Sequence, residues 1–336
     1  MKITVFKNGR AREAQPAELP QLLASPDETL WADIIDCDDE EAGILRDTFH
    51  FHPVAIEDTR NHRQRPKLEE YEGYLFLIVN TVVISGLEEG IEDIPGLQTH
   101  HDLNFREVDL FIGQNYVVTV HSARDTAIDR VQRRINNMGS SVQLTAGYLA
   151  YVLLDVVIDE YFPVMDMFEE EISALEDTIL LRPRQEQINR LFELKHMLLH
   201  LWRVVWPERD MLGNLAQPHI YKIAGLDTNQ YYIRDVADHL LWIADMINTY
   251  RDTLTSMIDL YMSSVSNRLN QVVNRLTVLT LIIGVMTVVS GFYGMNFEKT
   301  WPPFGSPLGV PFVILLMGVG MAGIFAYARY INRDKG

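Results

Sequence analysis

Two uninterrupted apolar runs near the end of the chain constrain its fold more than any other feature. Residues 276–293, LTVLTLIIGVMTVVSGFY, and 308–328, LGVPFVILLMGVGMAGIFAYA, contain no Asp, Glu, His, Lys or Arg. As helices, both are long enough to cross a hydrocarbon core about 30 Å thick. Two membrane helices joined by a short loop are therefore expected. Arg268 and Arg275 precede the first run, Arg329, Arg333 and Lys335 follow the second, and Lys299 is the loop's only cation. Cytoplasmic segments carry the excess of Lys and Arg, so both termini are expected inside the cell and the loop MNFEKTWPPFGSPLG outside.

The remainder is soluble in character. The 336 residues carry 46 acidic against 29 basic side chains, a formal charge of −17. That balance argues against nucleic acid, because binding a polyanion needs clustered Lys and Arg; an acidic surface attracts cations instead. The single cysteine, Cys37, allows no intrachain disulfide and no thiolate metal cluster. The opening MKITVFKNGRAREAQ lacks the apolar core of a secretory signal. No nucleophile and base pair, phosphate loop or haem motif is present, so neither an enzyme nor an organic cofactor is expected.

Residues 1–122 alternate β-rich runs such as KITVF, YLFLIVNTVVI and YVVTVH with polar turns and helical segments, which predicts an α/β domain. Residues 123–228 read as acidic paired helices, among them TAGYLAYVLLDVVIDEYFPVMDMFEEEISALED and RQEQINRLFELKHMLLHLWRVVW. From about Gln230 no Pro or Gly occurs until Gly284, so one helix is expected over 229–293, running from the cytoplasm through the first membrane segment at 276–293. A loop at 294–307, a second membrane helix at 308–328 and a basic tail at 329–336 complete the chain.

That long helix carries a periodic stripe. Alternating steps of four and three from Asp259 reach Ser263, Ser266, Asn270, Val273, Thr277, Thr280, Gly284, Thr287 and Gly291, all small or polar except Val273. Leu279, Ile282, Ile283, Met286 and Val289 lie on the opposite side and suit lipid or the second helix. Small residues also permit close helix packing in membranes, but a stripe extending to an Asp outside the bilayer fits a water-lined path better. A lone hairpin would leave the stripe facing lipid, so several copies must assemble around an axis.

YGMNF, directly after the first membrane run, resembles the signature of the CorA family of divalent-cation channels. HRQRPKLEEYEGYLF at 62–76, WPERD at 206–210, YYIRDVADH at 231–239 and YMSSVSNRLNQVVNRLT at 261–277 extend the resemblance over nearly the whole chain. It implies an α+β membrane protein: a funnel-shaped homopentamer in the cell inner membrane, taking up Mg²⁺, with Co²⁺ and Ni²⁺ as alternative ions, down the electrochemical gradient and closed by cytoplasmic Mg²⁺. Gly294, Met295 and Asn296 would form the selectivity filter. Gly294 would let the backbone turn, Met295 would pack behind, and the Asn296 amide would hydrogen-bond to the ion's waters without stripping them, since Mg²⁺ dehydrates reluctantly. An Asn there also serves as an ordinary helix C-cap; topology and resemblance favour the filter.

The resemblance further implies that Asn270 and Thr287 line the pore and that Leu276 contributes a hydrophobic constriction. Gly284 and Val273 depart from bulkier family residues, which moves the expected gate toward Leu276, and Glu298 is the one acidic residue left in the loop. Asp235 and Asp238 match the family's subunit-interface sensor. Glu88, Glu89, Glu92 and Asp93 are candidate partners for them, and a solvated acidic face is the competing reading. His196 and His200 form an i, i+4 pair with too few ligands for Zn²⁺; His50, His52 and His62 are a second weak group. A zinc transporter of the same architecture, with or without proton coupling, and a membrane-anchored sensor or scaffold are the rival functions.

Overall fold

The computed structural model describes residues 1–61, 64–84, 103–138, 144–181, 183–217, 226, 229–295, 301 and 307–333. These divide into two compact units, Met1–Thr178 with Arg184–Ile258, and Ile179–Pro183 with Asp259–Gly336.

Among the described residues the first unit is built on seven strands: β1 (Lys2–Lys7), β2 (Arg10–Ala14), β3 (Thr29–Ile35), β4 (Lys67–Tyr71), β5 (Tyr74–Ile84), β6 (Leu103–Gly113) and β7 (Tyr116–His121). Their order is β2-β1-β3-β7-β6-β5-β4, with β3 and β7 parallel and every other neighbouring pair antiparallel. The apolar run YLFLIVNTVVI is β5, next to the edge strand β4 and buried along nearly its whole length. Such unbroken hydrophobicity belongs to a strand covered on both faces.

Three helices, α1 (Leu19–Leu23), α2 (Asp39–Asp47) and α3 (Pro53–Asn61), supply Leu19, Leu22, Leu45, Ala55 and Ile56 to one core. From the sheet, that core takes alternate residues Ile3 and Val5, Leu30, Ala32 and Ile34, and Tyr74, Phe76 and Ile78. Phe51 stacks on Phe111 at 4.1 Å in its middle. The α2 helix starts where Asp38 accepts from the Glu40 and Glu41 amides, both at 2.9 Å.

Over β5, β6 and β7 lies α5 (Ala146–Asp159), preceded by α4 (Thr126–Asn137). The sequence reads as one helix through VVIDEYFPVM, but the structure breaks it at Glu160 and restarts as α6 (Tyr161–Leu181). Pro163 is the cause: its ring would collide with the Asp159 carbonyl of a continuous helix. Helix α7 (Gln185–Leu215) follows, and Arg190 forks onto Glu171 of α6.

Helix α8 spans Gln230–Gly294, 65 residues, or about 98 Å at the helical rise. In the first unit it buries Ile233, Val236, Leu240, Ile243, Ile247, Leu254 and Met257, a seam at three- and four-residue steps. The second unit pairs the remainder of α8 with α9 (Gly309–Arg333). The apolar window of α8 is 0% buried and that of α9 is 6% buried. A soluble core helix would be covered, so these two surfaces require lipid or further copies of the chain.

Candidate functional site

Within the membrane span α8 has two distinct faces. Val278, Ile282, Val285, Val289 and Tyr293 are the half-covered positions. Gly320 of α9 comes so close to one of them that a Cβ added there would lie 2.8 Å from Val285 Cγ1. At roughly 100° per residue this covered face lies about 140° around the helix from Gly284. Thr277, Thr280, Gly284, Thr287 and Gly291 are all exposed, and a Cβ added at Gly284 or Gly291 would meet nothing within 4 Å. Of the opposite-side residues named from the sequence, Ile282 and Val289 are half-covered, whereas Leu279, Ile283 and Met286 are exposed. Nearer the first unit, Asp259, Ser263, Ser266, Asn270, Val273 and Leu276 are exposed too. There the helix is bare almost all round, so exposure separates faces only in the span.

The stripe's hydroxyls are chemically biased. Thr277 Oγ1 donates to the Val273 carbonyl at 2.9 Å, and Thr287 Oγ1 to the Ile283 carbonyl at 2.8 Å. A hydroxyl has one proton; once it is given to the backbone, the oxygen can only accept. Both threonines thus present acceptor oxygens, complementary to a cation or to the outward hydrogens of its water shell.

At the end of the span α8 continues through Gly294, whose φ lies outside the left-handed region, and Met295 is 57% exposed. Gly294 is therefore still helical, and in the single chain Met295 is not packed behind it. Asn296 and Glu298 lie outside the described residues, as do His62, Glu88, Glu89, Glu92 and Asp93.

Asp235 and Asp238 are both exposed on α8, and neither forms a hydrogen bond or ion pair among the described residues. The structure does gather a group that sequence spacing missed: ligand atoms of Asp155, Asp159 and His239 lie within 4.8 Å of one another. Asp155 and Asp159 are one turn apart on α5, and His239 follows Asp238 on α8. Asp155 is 2.5 Å from Arg134, and Glu160 is 2.6 Å from Arg130, so two of the three neighbouring carboxylates are matched by guanidinium groups of α4. Asp159 is left with His239, whose Nδ1 stands 3.8 Å from its Oδ1, too long for a hydrogen bond, and has no hydrogen-bond partner among the described residues. Burial pushes the Asp159 carboxyl above its ordinary value, and the Asp155 charge adds to the rise. One carboxylate in excess and an unpartnered ring nitrogen suit a divalent cation. The i, i+4 pairing of the aspartates was the available signal, but the histidine arrives from 80 residues later.

His196 and His200 are exposed on α7 with no third ligand beside them among the described residues. His50 and His52 are exposed as well.

Comparison with known proteins matches these features. The family model described as CorA-like Mg²⁺ transporter protein covers residues 26–329. A putative metal ion transporter YfjQ of Bacillus subtilis is 33% identical over 314 residues, 91% of each chain. The cobalt/magnesium transport protein CorA of Thermotoga maritima is 34% identical over 272 residues, 81% of this chain and 73% of its own. The complete structure of the CorA magnesium transporter from Methanocaldococcus jannaschii superposes with a TM-score of 0.73 at 24% identity, covering 100% of this chain and 98% of that one. This chain, a soluble α/β domain followed by two apolar membrane helices, belongs to the CorA-like Mg²⁺ transporter family.

Proposed function

We propose that the chain forms a passive channel for hydrated divalent cations, Mg²⁺ first among them, as a homopentamer with both termini in the cytoplasm. One observation carries this reading: the polar stripe of α8 is exposed along its length, opposite the face that α9 covers, and its threonines offer acceptor oxygens. Copies arranged with stripes inward bury the stripe around an aqueous axis and leave α9 toward lipid. Asn296 at the outer mouth holds the ion's waters rather than the ion, which lets it leave again. Leu276, one turn inward of Thr280, is the apolar constriction. Co²⁺ and Ni²⁺ travel the same way, in keeping with the cobalt/magnesium relative.

Closure by internal Mg²⁺ is assigned to the carboxylates of the first unit. Asp155, Asp159 and His239 hold the ion within one chain, and the exposed Asp235 and Asp238 offer oxygens to a neighbouring copy. Filling such a site removes repulsion and biases the subunit arrangement. The His239 nitrogen also suits softer ions, which keeps the proton-coupled zinc transporter as the second reading. Purified protein in liposomes separates the two. Mg²⁺ influx should rise with an imposed inside-negative potential at equal pH and equal sodium. Influx that vanishes without a pH gradient would reject the channel.

A further inference from the structure

Strand β4 pairs with β5 only as far as Ile78, opposite Lys67. Past that point the outer edge of β5 needs other partners, because buried backbone groups left unpaired are costly. Two helical side chains supply them. The Asn80 amide donates to Glu208 Oε1 at 2.6 Å, and the Asn80 carbonyl accepts from the Tyr161 hydroxyl at 3.0 Å. Tyr161 Oη and Glu208 Oε2 are 2.9 Å apart, and the Asn80 side-chain nitrogen adds a 3.2 Å bond to Glu208 Oε1. Tyr161 and Glu208 are 0% exposed and Asn80 7%.

The phenol has one proton and two acceptors within reach. Were Glu208 an anion, it would take that proton as the stronger acceptor and leave the buried Asn80 carbonyl unpaired. With a proton on Oε2, every group is satisfied in one closed ring. The acid donates to the phenol oxygen, the phenol to the Asn80 carbonyl, and the Asn80 amide to Oε1. The acid and phenol then offer β5 one acceptor and one donor, as a neighbouring strand would.

We propose that Glu208 is held as a neutral carboxylic acid, and that with Tyr161 it forms a proton-dependent latch fastening α6 and α7 to the bare edge of β5, closed in acid solution and loosened as pH rises through neutrality. Burial pushes the Glu208 carboxyl up to about 7, against the opposing pull of its bonds from Asn80 and Tyr161. Tyr161 is raised well above its ordinary value, first by burial and then by Glu208, so the phenol keeps its proton. Among the described residues Tyr161 of α6 is the titratable group acting on Glu208, and the β5 partner Asn80 is uncharged. The adjacent Arg209 is engaged by Asp210 at 2.8 Å and by the Trp206 ring at 3.6 Å.

The folded state binds a proton that the unfolded chain releases between the ordinary value of 4.5 and about 7. Stability contributed by the latch is therefore complete below that window, falls as pH rises through it, and is flat above. Glu208→Gln keeps the ring, because its amide oxygen accepts from Asn80 and its nitrogen donates to Tyr161, yet it cannot titrate.

The test is infrared spectroscopy of the full chain in lipid nanodiscs from about pH 5 to about pH 9. The wild type should show a buried carboxylic-acid carbonyl band that fades with rising pH and is missing from Glu208→Gln. Tyr161→Phe, which removes the acid's acceptor, should shift the band, and it assigns the signal should the glutamine variant fail to fold. Relative to Glu208→Gln, the unfolded fraction of wild type should grow by roughly tenfold per pH unit inside the window. No titrating band, a band unchanged in both variants, or parallel stability curves for wild type and Glu208→Gln would overturn the proposal.

Discussion

Gly320→Ala is a stringent probe of how the two membrane helices pack, because the clash is defined to one atom. The new methyl would sit 2.8 Å from Val285 Cγ1, against a comfortable carbon–carbon separation of about 3.5 to 4.0 Å. The helices must part by most of an ångström, or Val285 must leave its rotamer. Overpacking of this kind costs about 1–3 kcal/mol. Val285→Ala removes the offending carbon, so the double variant should recover most of that loss, with a favourable coupling energy of about 1–2 kcal/mol. Thermal unfolding of the two single variants and the double variant in one lipid mixture closes the cycle. Losses that simply add, or a Gly320→Ala protein as stable as wild type, would refute the assignment of Val285 to the α9 face. Val285 lies away from the stripe, so ion preference should be unchanged even where flux falls.

Gly284→Leu should do the reverse. Its side chain meets nothing in the single chain, so stability should hold while Mg²⁺ flux drops at least tenfold, about 1.4 kcal/mol of barrier; full flux would remove Gly284 from the path. Asn296→Ala should abolish uptake and leave the oligomer intact by size-exclusion chromatography, and near-normal flux would remove the filter assignment. Asp159→Asn combined with Asp235→Asn and Asp238→Asn should shift the internal-Mg²⁺ inhibition curve to higher concentration, and an unchanged curve would assign these carboxylates to a solvated face. The His121 ring meets the Ala123 carbonyl at 2.6 Å through Nδ1 and Asp33 at 3.1 Å through Nε2, so both nitrogens donate. Burial alone would lower its pKa, but Asp33 and the carbonyl outweigh burial and raise it above 6.5. Its stabilisation is complete below 6.5 and lost as pH rises through the raised value; wild type should lose thermal stability there relative to His121→Gln, and parallel curves would show a neutral ring.

The apolar spans, the long helix and the buried strand YLFLIVNTVVI were legible because each is written as a local pattern: absence of charge, absence of Pro and Gly, unbroken hydrophobicity. The break at Glu160 was not, because the run around it keeps its apolar spacing and only the backbone geometry of Pro163 interrupts it. The stripe was visible as periodicity, but the chain does not say which face α9 covers. That depends on Gly320 meeting Val285 across a loop. Long-range juxtapositions fared worst. Asp159 and His239 come from helices far apart in sequence, and nothing near either residue advertises the other. Glu208 sits inside WPERD as a conventionally charged residue, and only the end of β4 makes a neutral one necessary.

If the stripe lines the path as proposed, its neutral acceptors bear on what would drive transport. Neither span contains Asp, Glu, His, Lys or Arg, the groups that carry coupled protons across membranes and stand out there because they are costly. A divalent ion moving inward gains about 4.6 kcal/mol per 100 mV, twice the single-charge value, which favours accumulation by about three orders of magnitude. Coupling to another gradient is then unnecessary, and the lining need only discriminate. In the proposed path acceptor oxygens would do so through water: a divalent ion polarises its shell more than a monovalent one, so its outward hydrogens would bond more strongly to Thr277 and Thr287. Mg²⁺ also keeps that shell longer than most ions. An anionic lining would attract every cation and release divalent ones slowly, whereas neutral acceptors hold the hydrated ion loosely enough for it to leave.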